Sequence, residues 1–290
     1  SAIEGTGDTI PIVYPHVDEI PLNAQVLFDD GLVESKVIRK KGPDLVARIL
    51  NSGPIGSKKK VTVQGYRVKL PFLTAEDRED IAFAIENGIR LIAASFVRNG
   101  NDIRQLRTFI EARNARMQVF AKIEHPDAVD NLNDILQASD GIMVARGDMG
   151  VELPLQEVPG IQARIIRQCN HAGKPVIVAT QMLESMRTNP RPTRAEVSDI
   201  ANAILQGTDA IMLSAETATG RYPVRSVQMM KKIAMQYEKQ VNSVIRKYRR
   251  KEEARKNEIA QYIAKAAYFA SKDLAVKAIL TPTESGFTAR

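Results

Sequence analysis

Tryptophan is absent from the 290-residue sequence, which also has only one cysteine and three histidines. The single cysteine, Cys169, excludes an intramolecular disulfide, suits a reducing cytoplasm, and is expected to be a packed core thiol within a helix. The three histidines are scattered along the chain, which argues against a zinc cluster. No apolar run reaches the length of a membrane span and no secretory signal begins the chain, so we expect a cytoplasmic protein outside the membrane.

Two common nucleotide-binding motifs are missing. The sequence has neither a P-loop with Gly-Lys-Ser/Thr nor a GxGxxG fingerprint, so any nucleotide must be held in another way. Aromatic residues make up only 5% of the chain, which leaves little surface on which single-stranded nucleic acid could stack. The net charge of +7 favours anionic ligands, but most basic residues are spread out, and we expect no nucleic-acid partner.

Four short apolar runs between residues 117 and 217 each end in polar residues. The polar residues are Lys122-Ile123-Glu124, Ala145-Arg146-Gly147-Asp148, Ala179-Thr180-Gln181 and Ser214-Ala215-Glu216. Segments with helical spacing separate the runs, and this alternation is typical of a parallel sheet that is buried on both faces. Because the carboxyl ends of such strands meet at one site, these polar groups should converge. Together they could hold a divalent cation and stabilise a phosphoryl group during its transfer.

The rest of the chain divides into a β-rich beginning and a helical end. Residues 1–70 predict a small β module with strands at 26–28, 33–38, 45–50 and 61–63. A helix is predicted at 75–87, and five strand-helix units follow between residues 89 and 240, with helices at 102–114, 129–139, 162–172, 194–207 and from 224 onward. A long helical stretch covers 224–256, and a helix (259–274), a strand (276–280) and a polar loop (281–286) follow. A closed β/α barrel needs about eight units, so the five indicate either an open doubly wound sheet or a barrel without its first part.

Each candidate residue also has a structural explanation when it is considered alone. Lys122 and Glu124 are two residues apart on a strand and face the same way, which is equally typical of a structural ion pair. Glu124 and Asp148 follow adjacent strands, where two carboxylates could bind a hard cation. The hydroxyl of Thr180 could cap a turn, or it could join Ser214 in a hydrogen-bonded proton relay.

The order and spacing of five segments closely resemble those of pyruvate kinases. The segments are Lys122 to Glu124, Met143 to Glu152, Ala179 to Met186, Asn189 to Glu196 and Asp209 to Thr217. The resemblance implies an α/β fold, in which a TIM (β/α)8 barrel carries an inserted small β-barrel lid domain and precedes a C-terminal α/β domain. Residues 1–70 would form the lid, 71–240 the later barrel units, 241–258 a helical connection, and 259–290 the start of the C-terminal domain. The barrel would then be partial, without its first strands.

The same resemblance implies transfer of a phosphoryl group from phosphoenolpyruvate to ADP, which yields pyruvate and ATP. Glu124 and Asp148 would hold Mg²⁺ or Mn²⁺. Catalytic roles would fall to Lys122, Thr180 and Ser214. Substrate contacts would come from Lys122, Ala145, Arg146, Gly147, Asp148 and Thr180. Lys59 would approach the nucleotide, and a sugar-phosphate effector would bind at Thr281, Ser285 and Gly286. The family also implies K⁺, with ligands outside this chain, and a homotetramer.

The sequence departs from the family pattern at several positions. His125, Pro126 and Ala128 occupy a stretch that usually contains Asn and Gly, Lys60 stands where the lid motif usually has Gly, and Ala215 replaces a frequent Gly. None of these changes removes a charged catalytic group. Two alternatives stay open, the first because such barrels also pair a Glu and an Asp on adjacent strands, and the second because the first barrel strands are missing. One is a metal-dependent aldolase-type barrel that acts on a pyruvate enolate, and the other is a truncated, non-catalytic paralogue. Without the first barrel strands, we expect poor turnover from these 290 residues alone.

Overall fold

A computed structural model describes residues 5–6, 9–66 and 69–248, together with a few positions between 262 and 280. Side chains are described as far as residue 241 and again at those later positions. The predicted effector residues Thr281, Ser285 and Gly286 lie outside the described residues, as do most of the strand predicted at 276–280 and the helix predicted beyond 248. The division of the chain into four domains stays a prediction.

The β-rich beginning of the chain forms a four-stranded antiparallel sheet, which we call the lid sheet. Its strands are β1 (Gln25–Phe28), β2 (Val33–Lys41), β3 (Asp44–Ile49) and β4 (Val61–Val63). They lie in the order β3-β2-β1-β4, and their positions in the sequence agree with the four predicted strands. A separate small core beneath them is built from Ile20, Val26, Phe28, Val33, Val37 and Val63.

The second half of the fold is a five-stranded parallel sheet. Its strands are β5 (Leu91–Ala94), β6 (Gln118–Ile123), β7 (Gly141–Ala145), β8 (Val176–Ala179) and β9 (Ala210–Met212). Neighbours in sequence are neighbours in the sheet, and every pair is parallel. All five residues of β7 are buried, as expected for a strand of a parallel sheet that is covered on both faces. The α/β prediction and its five strands are confirmed.

Nine α-helices lie in the part of the chain that the structure describes continuously. They are α1 (Ala75–Glu86), α2 (Gly100–Glu111), α3 (Pro126–Asp130), α4 (Leu132–Ala138), α5 (Arg146–Glu152), α6 (Val158–Ala172), α7 (Arg194–Gln206), α8 (Ala215–Ala218) and α9 (Pro223–Tyr248). Helices α1 and α7 each begin at a capping box, formed by Thr74 with Asp77 and by Thr193 with Glu196. Among the described residues, no helix combines the length and apolar character needed to cross a membrane.

Two predicted helices differ clearly from the structure. The predicted helix 129–139 is two helices, α3 and α4, which are divided at Asn131. Helix α6 begins at Val158, four residues before the predicted start, because a proline is tolerated in the first helical turn. Helix α9 begins one residue before the predicted helical stretch 224–256 and is described as far as Tyr248. The sequence predicts a strand at 91–96, but the observed strand β5 ends earlier, at Ala94.

Charged side chains fix the amino ends of the parallel strands. A carboxylate oxygen of Asp140 accepts a hydrogen bond from the backbone N–H of Val119 at 2.7 Å, and Asp209 accepts one from Val176 at 2.8 Å. The Nζ of Lys174 donates to the carbonyls of Leu136 and Ser139, both at 2.6 Å. This end of the sheet is therefore locked by polar bonds that connect neighbouring units.

The lone cysteine is a core residue, as predicted. Cys169 lies in α6 and is fully buried. Burial raises the pKa of its thiol to about 12, so the reactive thiolate is strongly disfavoured.

Candidate functional site

Lys122 and Glu124 lie together at the carboxyl end of β6. The Nζ of Lys122 is 3.1 Å from Oε2 of Glu124 and donates to Oγ of Ser95 at 2.7 Å. The other oxygen of Glu124 accepts the backbone N–H of Phe96 at 2.6 Å. The side chain of Glu124 is only 1% exposed, so its carboxylate is held in one position by its neighbours.

The Oε2 atom of Glu124 is buried and accepts no hydrogen bond, although the ammonium group of Lys122 lies 3.1 Å away. Burial raises the pKa of Glu124, and the nearby charge of Asp148 adds to this, while Lys122 and the Phe96 N–H act in the opposite direction. A buried carboxylate oxygen without a hydrogen-bond partner is a good ligand for a hard divalent cation. Glu124 and Asp148 therefore fit such an ion.

Within the described ranges, no group of three or more His, Cys, Asp or Glu residues is arranged to hold a metal. Among the His, Cys, Asp and Glu side chains of these ranges, a cation at this site would thus have at most two ligands, Glu124 and Asp148. Mg²⁺ and Mn²⁺ sites of this kind are completed by substrate oxygens and water.

Asp148 lies in the first turn of α5 and forms an ion pair with the lid sheet. Its Oδ1 is 2.5 Å from Nζ of Lys60, and each side chain is 29% exposed. Burial by itself would raise the pKa of Asp148, but the bond to Lys60 and the charges of Lys60 and Lys122 outweigh it, so the pKa of Asp148 is lowered. Contact with Glu124 contributes to the same lowering. Lys60 is therefore part of the site, although the sequence did not identify it as a site residue.

A third carboxylate lies within electrostatic range of this pair. Burial raises the pKa of Glu152, at the end of α5, and the charges of Asp148 and Glu124 raise it further against the opposing charge of Lys60. Three carboxylates and two lysines, Lys60 and Lys122, thus share one region. Such closely spaced titratable groups with shifted pKa values are typical of functional sites.

The backbone at Thr180 is held in an unusual conformation. Thr180 and Gln181 have φ values of 70° and 53°, which side chains rarely adopt, and such strain concentrates at functional sites. Oγ1 of Thr180 accepts the backbone N–H of Gly147 at 2.7 Å and donates to the carbonyl of Ala179 at 2.6 Å. Two predicted substrate ligands, Gly147 and Thr180, are thus hydrogen-bonded to each other, and an incoming carboxylate would have to share or replace this bond.

Arg146 has most of its donors engaged within the protein. Its guanidinium donates to the carbonyl of Thr180 at 2.7 Å and to that of Ala179 at 3.3 Å. It also pairs with both carboxylate oxygens of Asp199, at 2.6 and 2.7 Å, and its side chain is only 10% exposed. This arrangement supports the strained Thr180 backbone, a role the sequence did not indicate. The preceding residue, Ala145, is buried at the end of β7.

Glu216 connects the last two strand ends. Its side chain is fully buried and accepts the backbone N–H groups of Leu183 at 2.9 Å and of Ser214 at 2.8 Å. Ser214, a predicted catalytic residue, is the residue before α8 and lies at the end of the strand next to β8. Glu216 therefore fixes the backbone of Ser214 relative to the loop that follows Thr180.

Lys59, the predicted nucleotide ligand, lies on the lid sheet beside Asp29. Its Nζ is 3.0 Å from Oδ1 of Asp29, and its side chain is 46% exposed. The structure gives it no contact with Glu124 or Asp148, whereas the next residue, Lys60, reaches Asp148. The only sequence signal for Lys60 was its replacement of a glycine in the lid motif.

Comparisons with known proteins agree with this architecture. The family model for the pyruvate kinase barrel domain matches residues 2–227. Pyruvate kinases from Sporosarcina psychrophila and Geobacillus stearothermophilus are each 47% identical over 99% of this chain, and a solved pyruvate kinase from Cryptosporidium parvum is 37% identical with a TM-score of 0.81. The alignments with the two curated relatives cover 50% of each relative, so the chain spans about half their length. The alignment with the solved structure covers 93% of this chain and 57% of the solved chain. The chain belongs to the pyruvate kinase family.

Proposed function

We propose that the protein carrying this sequence transfers the phosphoryl group of phosphoenolpyruvate to ADP and releases pyruvate and ATP. The observation that supports this most directly is the arrangement of Lys122, Glu124 and Asp148 at the ends of β6 and β7. It unites a cation-binding carboxylate pair with a fixed ammonium group, as phosphoryl transfer requires. Family membership favours this function over the aldolase-type alternative.

Glu124 and Asp148 are the residues that would hold Mg²⁺ or Mn²⁺, because both supply hard oxygen ligands. When bound, this ion supplies positive charge to the enolate and phosphoryl oxygens. The K⁺ expected from the resemblance would be held by residues beyond this chain. The buried Oε2 of Glu124, which makes no hydrogen bond in the structure, supports the divalent assignment.

Lys122 neutralises negative charge on the phosphoryl group during its transfer. The hydroxyl of Ser95 and the carboxylate of Glu124 hold its ammonium group in place before substrate arrives. A charge that is already oriented needs little reorganisation in the transition state, so it lowers the barrier more than a mobile charge does. Lys59 approaches the nucleotide from the lid sheet.

The strand ends of β7 and β8 receive the substrate carboxylate. The backbone N–H groups near Gly147 and Asp148 and the hydroxyl of Thr180 donate to it, and Arg146 contributes by holding the carbonyl of Thr180. Thr180 and Ser214 then belong to the hydrogen-bonded route that delivers a proton to the enolate. We propose that the protein is cytoplasmic, because reducing conditions suit a lone thiol. We also propose that it forms a homotetramer, which size-exclusion chromatography would test.

The test separates chemistry from cation binding with two variants. Lys122→Met should lower pyruvate formation from phosphoenolpyruvate and ADP by orders of magnitude without weakening Mn²⁺ binding. Asp148→Asn should instead weaken Mn²⁺ binding, which isothermal titration calorimetry measures. Lys231→Met, which removes an exposed lysine of α9, is the matched control.

Two results would contradict the proposal. A loss of less than about tenfold in Lys122→Met, or roughly 1.4 kcal/mol, would mean that Lys122 does not act on the transition state. Unchanged Mn²⁺ affinity in Asp148→Asn would remove the cation assignment. If the parent protein formed no pyruvate from phosphoenolpyruvate and ADP, the non-catalytic alternative would be favoured instead.

A further inference from the structure

Lys60 carries a positive charge from the lid sheet to the carboxylate pair of the parallel sheet. It is the residue before β4, and its Nζ lies 2.5 Å from Oδ1 of Asp148, which is 88 residues away in the sequence. The pair is partly buried, with each side chain 29% exposed. This is a direct bond between the lid sheet and a proposed cation ligand.

Two further contacts join the same edge of the lid sheet to the parallel-sheet unit, one at α5 and one at Phe96, which follows β5. The side-chain amide of Gln64, one residue beyond β4, donates to the carbonyl of Val151 at 3.0 Å. The ammonium of Lys60 also lies 5.3 Å from the centre of the Phe96 ring, a cation–π distance. Asp148 and Val151 both belong to α5, so β4 and α5 form one contact that separates if the lid sheet moves away.

The position of Lys60 conflicts with full occupation of Asp148 by a divalent cation. An ammonium group and a divalent cation on the same carboxylate repel each other, and the repulsion is stronger at a partly buried site than in water. Lys122 adds a second fixed positive charge beside the pair. A cation that binds Asp148 must therefore displace Lys60 or bind more weakly because of it.

We propose that Lys60 is a lid-borne competitor for the divalent cation, so that cation binding at Asp148 releases the edge of the lid sheet from α5. This regulation rests on the proposed cation site at Glu124 and Asp148. Lys60 lowers the affinity for the ion and, in return, the ion weakens the contact of the lid with α5, because coupling between two binding events is reciprocal. The position of the lid thereby becomes dependent on the cation concentration.

The first experiment measures Mn²⁺ affinity by isothermal titration calorimetry in the protein that carries this sequence. Lys60→Met keeps most of the apolar stem but removes the charge, and we expect it to tighten Mn²⁺ binding by about fivefold, as expected for loss of a partly exposed ion pair. Lys58→Met is the matched control, because it removes an exposed charge two residues away, and its affinity should stay within about twofold of the parent. Unchanged or weaker Mn²⁺ binding in Lys60→Met would overturn the proposal.

The second experiment measures amide hydrogen exchange in residues 60–66 and 146–152 before and after addition of Mn²⁺. In the parent protein, Mn²⁺ should accelerate exchange in the 60–66 segment, and in Lys60→Met exchange there should already be fast and insensitive to Mn²⁺. Exchange that Mn²⁺ does not change in the parent would refute release of the lid.

The two proposals can fail separately. If the parent binds Mn²⁺ and Asp148→Asn does not, while Lys60→Met matches the parent, only the competition is refuted. If the parent binds no Mn²⁺, the cation site and the competition fall together.

Discussion

Replacement of Arg146 by lysine would test whether this side chain supports the strained backbone at Thr180. Lysine keeps the positive charge but has one compact ammonium group in place of a planar fork, so it cannot reach both the Thr180 carbonyl and Asp199 in the same geometry. The guanidinium bonds to be lost include the one to the Thr180 carbonyl, at 2.7 Å, and one of the two to Asp199.

The magnitude follows from these two bonds. A hydrogen bond to a charged group contributes about 1.5 kcal/mol or more, and the side chain of Arg146 is only 10% exposed. Asp199 is 37% exposed, so water compensates for part of its loss. We therefore expect Arg146→Lys to lower the free energy of unfolding by about 2 kcal/mol.

Urea unfolding followed by circular dichroism measures this change, provided that the slope m stays constant. Arg104→Lys is the matched control, because Arg104 pairs with Asp134 at 3.0 Å on the surface, where both side chains are about half exposed. The control should change stability by no more than about 0.5 kcal/mol. Equal effects of the two substitutions would show that Arg146 does not stabilise the fold in the way described.

Two further substitutions test the packing and the capping of the parallel-sheet unit. Gly141→Ala would place a Cβ 2.4 Å from the Phe120 ring, so it should destabilise the protein by about 1–3 kcal/mol. The control Gly160→Ala has open space around the new Cβ and should be neutral or stabilising. Thermal unfolding compares the two variants, and similar melting temperatures would contradict this account. Burial acts to raise the pKa of Glu196, but hydrogen bonds from Ser185 and from the helix cap lower this pKa overall. The ionised Glu196 therefore stabilises the fold above its ordinary pKa of 4.5, and this stabilisation is lost as the pH falls. Glu196→Gln should therefore cost about 1–2 kcal/mol at pH 7 and much less near pH 3, and an equal cost at both pH values in urea titrations would refute this account.

The arrangement of strands and helices could be predicted because it follows from local patterns. The runs that became β6 to β9 are short, apolar and separated by helical spacing, and in a parallel sheet this fixes which ends carry the polar groups. The convergence of Lys122, Glu124 and Asp148 followed from the same rule. Helix boundaries were harder, because a tolerated proline and a break at Asn131 depend on packing rather than on periodicity.

Contacts between distant parts of the chain could not be predicted in this way. The bond from Lys60 to Asp148 spans 88 residues and depends on how the lid sheet lies against α5. The positive φ of Thr180 and the hydrogen bonds of the buried Glu216 carboxylate likewise depend on partners from other strands. No periodic pattern encodes these contacts, so only the three-dimensional structure shows which lysine of the 58–60 cluster reaches the site.

The hydrogen bonds at the amino ends of the strands imply that one end of the sheet contributes to stability and the other to catalysis. Asp140, Asp209 and Lys174 join neighbouring units by bonds to backbone groups, at the opposite end of the strands from Lys122 and Asp148. Changes at these three positions should therefore reduce the amount of folded protein while the surviving molecules work normally. Substitutions at the amino ends of the strands should lower the abundance of the protein, and substitutions at the carboxyl ends should lower the turnover of each molecule.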